Sequence, residues 1–225
     1  MNLYTFALKE DCRQPLNVVL IVLLPMVLLI IPAHPESFPF GLYLYGMVML
    51  YSAFLLTRPV VEDRMKGIVV RIAASPISHL RYLSSHLLAY FTLILIQILL
   101  FCLGVLIVHG GNIHGYGNLL LLYLSFSIMS IAFALAWNTL FRAFNLSFGI
   151  FSGVGSAMCL ISGVSLPPFL IPESITGYTM FLPTYWLPYG LDAIYHGDTS
   201  GILISHAVLW AYAAIFLLVG SKRRL

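Results

Sequence analysis

The sequence predicts an all-α integral membrane protein: six transmembrane helices, an N-terminal interfacial helix, a cytoplasmic amphipathic helix and a re-entrant outer segment between spans five and six. Three observations carry this expectation. Of 225 residues, 60% are hydrophobic and 8% charged, with a mean hydropathy of +0.97, whereas a soluble domain carries about 25% charged residues. The apolar residues also fall in long runs, enough for six crossings of roughly 30 Å of hydrocarbon at about 1.5 Å per residue. Finally, the basic residues sort to alternate connections.

From the N-terminus, residues 2–13 place Leu3, Tyr4, Ala7 and Leu8 near one helical face, with Asn2, Thr5, Lys9, Glu10 and Arg13 on much of the rest. That suits a helix in the membrane interface and suits a polar tail equally. The first span, 16–33, holds Pro25, which a membrane helix tolerates where neighbouring groups re-satisfy the freed carbonyl. No small-x-small cleavage site follows Ile31 in Pro32-Ala33-His34-Pro35, so this run is expected to stay as a helix rather than leave as a signal peptide. The remaining spans cover 38–56, 87–108, 119–141, 146–166 and 201–220.

Between spans two and three lies a segment over 57–85, where Val61, Met65, Ile68, Val69 and Ile72 recur at helical spacing. Glu62, Asp63, Arg64, Lys66 and Arg71 occupy the other side of the wheel. Pro59 suits a first turn, and Ser75-Pro76 ends the helix because a residue before proline avoids αR. The mixed charge favours a protein partner, since lipid-binding helices are richer in Lys and Arg alone; floating on the bilayer is the plainer alternative.

The fifth span carries Gly149 and Gly153 four apart, with Ser152 and Ser156 on a neighbouring track. Small residues at this spacing let helix backbones approach closely, within a subunit or across a dimer. The connection 167–200 holds Pro167, Pro168, Pro172, Pro183 and Pro188 among Phe169, Tyr178, Phe181, Tyr185, Trp186, Tyr189 and Tyr195. Proline-broken backbone enters a membrane only where protein or a water-filled cavity covers it, so one or two short re-entrant or interfacial helices are expected. Leu187, Leu191, Ile194 and Tyr195 share a face after Pro188, and Gly197 supplies a C-terminal stop.

All 11 Lys and Arg residues lie in the tails, the second connection or the fourth: Lys9, Arg13, Arg58, Arg64, Lys66, Arg71, Arg81, Arg142, Lys222, Arg223 and Arg224. With six crossings, the positive-inside rule puts both termini in the cytoplasm. The net charge of +3 reports this orientation and gives no ground for a nucleic-acid partner. Cys12, Cys102 and Cys159 have no paired spacing, and His109 and His114 lack a nearby third ligand, so neither a disulfide nor a metal site is expected.

Glu62-Asp63-Arg64-Met65-Lys66-Gly67 is followed by Ala74-Ser75-Pro76-Ile77. Later come Ser162-Gly163-Val164-Ser165-Leu166-Pro167 with Pro172-Glu173, and Leu182-Pro183-Thr184-Tyr185. In order and placement these resemble the signatures of ABC-2 type permeases, the membrane-spanning half of ATP-driven exporters. The resemblance covers nearly the whole chain, although Met65 and Ile68 stand where relatives often have an acidic residue and a Thr. It implies that ATP and Mg are handled by a separate ABC ATP-binding subunit and, with no organelle signal read in the sequence, that the chain sits in a plasma or prokaryotic inner membrane. The chain itself has no G-x-x-x-x-G-K-[ST] loop.

By the same resemblance, that subunit docks on the coupling helix at 59–76, with Glu62, Asp63, Arg64, Lys66, Gly67, Arg71, Ser75 and Pro76 as coupling residues. A second permease, identical or homologous, completes the substrate path. Near spans two and five, Tyr45, Tyr51, Ser52, Ser152 and Ser156 offer polar contacts to cargo. Ordinary helix packing accounts for the same five residues. The scarcity of charge within the spans favours an amphipathic drug, peptide or lipid-linked cargo over a bare ion, and no catalytic residue is expected.

Two rival readings carry different residues. An intramembrane serine protease would pair His206 with a serine of the fifth span. Relatives of that kind resemble one another in a Gly-x-Ser-Gly turn, yet here Leu166 follows Gly163-Val164-Ser165, and Gly153-Val154-Gly155-Ser156 has another order. A membrane scaffold without transport is the other alternative, and an ATPase partner discriminates against both.

Overall fold

The computed structural model describes residues 3–13, 19–31, 37–65, 79–110, 115–141, 143–166 and 177–222, and every regular element among them is helical. In order these are α1 (Leu3–Cys12), a π-helical turn (Val19–Leu23) running into α2 (Leu24–Leu28), α3 (Phe40–Leu56) and α4 (Arg58–Met65). Then follow α5 (His79–His109), α6 (Tyr116–Asn138), α7 (Phe144–Ile161), a 3-10 turn (Pro183–Tyr185), α8 (Trp186–His196) and α9 (Thr199–Lys222).

Five stretches are long and apolar enough to cross a membrane: Phe40–Asp63, Ser85–His109, Tyr116–Asn138, Phe144–Ile161 and Thr199–Gly220. They overlap the expected spans two to six, with most ends moved by about a turn or less and Phe40–Asp63 running seven residues past the expected end at 56. The first expected span differs. Over its described part the π turn hands over to α2 at Pro25, giving two helices of five residues each. Proline has no N–H to pair, and the wider π turn just before it takes up the misfit. This segment presses on α3, since a Cβ at Gly41 would stand 2.1 Å from the Leu28 carbonyl oxygen. Leu29 likewise fills the space beside Gly104 of α5.

The core is built on α3 and α6, whose most apolar stretches are 78% and 72% buried, against 22% for α7 and for α9. At its centre the fully buried Tyr45 stacks on Phe101 at 3.8 Å and meets the edge of Tyr123 at 5.0 Å. The Tyr123 hydroxyl donates to the Leu42 carbonyl at 2.9 Å, tying α6 to α3. On the other flank α1 lies against α5, with Ala7 buried and the Tyr4 hydroxyl donating to Thr92 Oγ1 at 3.1 Å.

The described parts of the connection between α7 and α9 dip along the bundle and return. Gly163, with φ +83, stops α7, and the Val164 amide reaches back to the Cys159 carbonyl at 3.0 Å. That stop sits beside Gly46 and Met47, about 10 Å below the Phe40 end of α3 at 1.5 Å per residue. The Phe181 carbonyl then accepts from the Tyr212 hydroxyl, which stands about 20 Å along α9 from Thr199. From there α8 climbs back, packing Leu187 on Gly46 and bringing Ile194 to Gly115 and Tyr195 to Phe38. Leu187, Leu191 and Ile194 form its buried face, whereas Tyr195, expected on the same face, is 40% exposed; Gly197 ends the helix at φ +71 as expected.

Candidate functional site

The five residues expected beside a substrate path fall into separate places. Tyr45 belongs to the core, and Ser52, also buried, accepts a hydrogen bond from Gln97 Nε2 at 3.3 Å. Tyr51, Ser152 and Ser156 instead meet at the edge where α3 touches α7. The Tyr51 hydroxyl donates to the Ser152 carbonyl at 2.8 Å and lies 2.7 Å from Ser156 Oγ. A phenol has one proton, so the Ser156 hydroxyl is the donor in the second contact.

Beside this knot runs a groove of about 420 Å³, lined by Tyr51 with Leu24, Leu28, Met47, Val48 and Phe148 among others. With the Tyr51 hydroxyl engaged by α7, the groove presents an almost wholly apolar wall. Gly149 and Gly153 follow Phe148 on α7, and nothing stands within 4 Å of a Cβ built on either. Their spacing suggested close helix packing, yet among the described residues no helix covers them.

At the C-terminal end of α3, the helix expected over 59–76 is described for its first half as α4. Pro59 and Val61 are buried while Glu62 and Asp63 are partly exposed, so the apolar face turns to the bundle. Arg58 Nε donates to Glu62 one turn on, and the guanidinium lies 5.2 Å from the centre of the Phe144 ring at the start of α7. Arg64 belongs to the same helix. Lys66, Gly67, Arg71, Ser75 and Pro76 lie outside the described residues, as do Pro167, Pro172 and Glu173. Pro183 opens the 3-10 turn and is buried.

Sequence reasoning missed the polar cluster at the joint between α3 and α4. Thr57, Asn138 and Ser147 are all buried, come from three elements and bond in series. Asn138 Nδ2 donates to Thr57 Oγ1 at 2.9 Å, and the Ser147 hydroxyl donates to Asn138 Oδ1 at 2.7 Å. Thr57 in turn donates to the Phe54 carbonyl at 2.7 Å. The available signal was that each residue sits within a turn of the end of an apolar run.

His206 pairs with Ser125 of α6 at 2.8 Å, while the Ser152 hydroxyl donates to the Gly149 carbonyl at 2.8 Å and the Ser156 hydroxyl to Tyr51. The serine and histidine partners of the protease reading are thus not assembled from the fifth expected span. Near the start of α9, Asp198 accepts from the Ser200 amide at 3.0 Å and from its hydroxyl. The Ser200 hydroxyl and the Gly201 amide hold the Asp198 carboxyl below its ordinary value.

Long apolar helices packed about a buried aromatic centre define an α-helical multi-pass membrane protein. More narrowly, the chain belongs to the ABC-2 transporter family, for the profile of the ABC-2 family transporter protein matches residues 36–222. Members are permeases, membrane components of transport systems that imply an ATP-binding partner. A search of the curated proteins finds no match.

Proposed function

We propose that this chain is the permease subunit of an ABC exporter, working as a pair of permeases driven by a separate ATP-binding subunit. The family match over 36–222 carries this reading. The apolar groove beside the uncovered Gly149 and Gly153 supports the pairing and the nature of the cargo, an amphipathic drug, peptide or lipid-linked molecule. The path runs along Tyr51, Ser152 and Ser156, and Tyr45 and Ser52 serve packing instead.

Six crossings with both termini in the cytoplasm fit the described contacts of the first segment. Leu28 lies against Gly41 and Leu29 against Gly104, near the ends of α3 and α5 that face away from the cytoplasm in this reading. The connection from α7 to α9 is a re-entrant segment, supported by the Tyr212 contact deep along α9. The ATP-binding subunit docks on α4 and the residues that follow it, with Glu62, Asp63 and Arg64 in contact.

Co-purification of the tagged chain from its native host in mild detergent tests this, with an ATPase assay on what accompanies it. An ATP-hydrolysing subunit is expected, and Glu62→Ala with Arg64→Ala releases it. A folded chain that emerges with no ATPase refutes the reading.

A further inference from the structure

The motor and the groove sit at opposite ends of one mechanical problem. On the reading just proposed, nucleotide-driven movement arrives at α4, whereas cargo meets the face of α7, some eighty residues further along the chain. The backbone leads from α4 straight into the α3 side of the groove at Leu55 and Tyr51, but reaches its α7 side only by a long way round. Interactions in packed cores pass displacement through contiguous contacts that hold their geometry.

Such contacts converge on one side chain. Thr57 is the residue at which α3 ends and α4 begins. Asn138 is the last residue of α6, and Ser147 lies in the first turn of α7. The Asn138 amide donates to the first and accepts from the second, and all three are buried, with exposures of 0%, 3% and 0%. An amide carries a donor and an acceptor on one rigid plane, so a single side chain spans both neighbours at once. Water is scarce at such a site, so neither bond has a ready substitute.

A second contact runs in parallel. Arg58, the first residue of α4, lies over the Phe144 ring, and Phe144 packs against Phe54 of α3 at 5.6 Å and Phe148 of α7 at 6.3 Å. Phe148 lines the groove. Both routes therefore leave the first turn of α4 and arrive in the first turns of α7.

We propose that Asn138 is the joint through which the cytoplasmic helix α4 moves the groove-lining helix α7, a positioning residue for transport. It rests on the exporter reading above. It adds that the start of α7 travels with Thr57 because one amide holds both, and that the Arg58 contact alone does not suffice.

The test uses the permease in complex with its co-purified ATP-binding subunit. The three native cysteines are replaced and Val154→Cys introduced on α7, a helical step away from the glycine face. Its rate of modification by a maleimide is measured with and without ATP, Mg and vanadate. In the parent complex the rate changes when nucleotide is trapped. Asn138→Leu abolishes that change while ATP hydrolysis persists, and Thr57→Val and Ser147→Ala, each removing one arm, do the same. Should Asn138→Leu fail to assemble, the two single-arm variants carry the test. An unchanged nucleotide response in variants that still hydrolyse ATP overturns the proposal. So does a parent complex that hydrolyses ATP with no response at position 154, which leaves the exporter reading standing. A chain that binds no ATPase overturns both.

Discussion

α3 and α7 are both apolar spans with tyrosine, serine and glycine among aliphatics, yet they do opposite things. In α3, 78% of the most apolar stretch is buried, and its glycines are filled by neighbours: Leu28 against Gly41 and Leu187 against Gly46. In α7 the figure is 22%, and Gly149 and Gly153 face open space. Small residues gain nothing from facing lipid, because what they permit is close approach of another backbone. The glycines of α3 are thus used within the chain, whereas Gly149 and Gly153 of α7 are left open, as the pairing proposed above requires.

Substitutions can break that contrast, beginning where the effect is greatest. Tyr45→Ala removes a stacked, fully buried ring and is expected to cost about 3–5 kcal/mol, the range for buried aromatics. Thermal unfolding in detergent reads this, and a melt matching the parent would show that α3 is not the centre of the core. Gly41→Ala pushes a methyl group into the Leu28 backbone and is expected to cost about 1–3 kcal/mol. Faster proteolysis within the first segment should accompany it.

Smaller effects sharpen the comparison at the seam between the helices. Tyr51→Phe breaks the bonds to Ser152 and Ser156 but keeps the ring against Phe151, so a loss of about 0.6 kcal/mol is expected, as for other interhelical hydrogen bonds in membranes. A loss of several times that would mean α7 is held by this knot alone. The least change comes at Asp198, whose carboxyl is held below its ordinary value by Ser200 and Gly201. A lowered folded value means stability that is present above the unfolded value and lost as pH falls through the folded one. Asp198→Asn keeps a capping oxygen and should flatten that acid-side loss; an unaltered pH dependence of melting argues against the assignment.

What the sequence disclosed follows from what a bilayer demands. Span positions were legible because length and apolarity are properties of the chain alone, and the stop at Gly197 follows from local backbone chemistry, whereas the stop at Gly163 was passed over by a span expected to run to 166. Which face of a span points inward was not legible. Lipid and protein interior are both apolar, so periodicity does not separate Tyr45, deep in the core, from Tyr51, at the seam with α7. The weak first span had a visible cause in Pro25, though not its π turn. The series Thr57, Asn138 and Ser147 was out of reach because its members are brought together only by the folding of three helices.

The claim that α7 ends its packing outside this chain is tested most directly by crosslinking. With Gly153 replaced by a photoreactive phenylalanine analogue and the protein irradiated in its native membrane, mass spectrometry identifies what is captured. The account predicts an adduct with a second ABC-2 permease, whether identical or homologous, and none when the same group stands at Leu203, which is 69% exposed on α9. Capture of a permease from position 203 and only lipid from position 153 would contradict it.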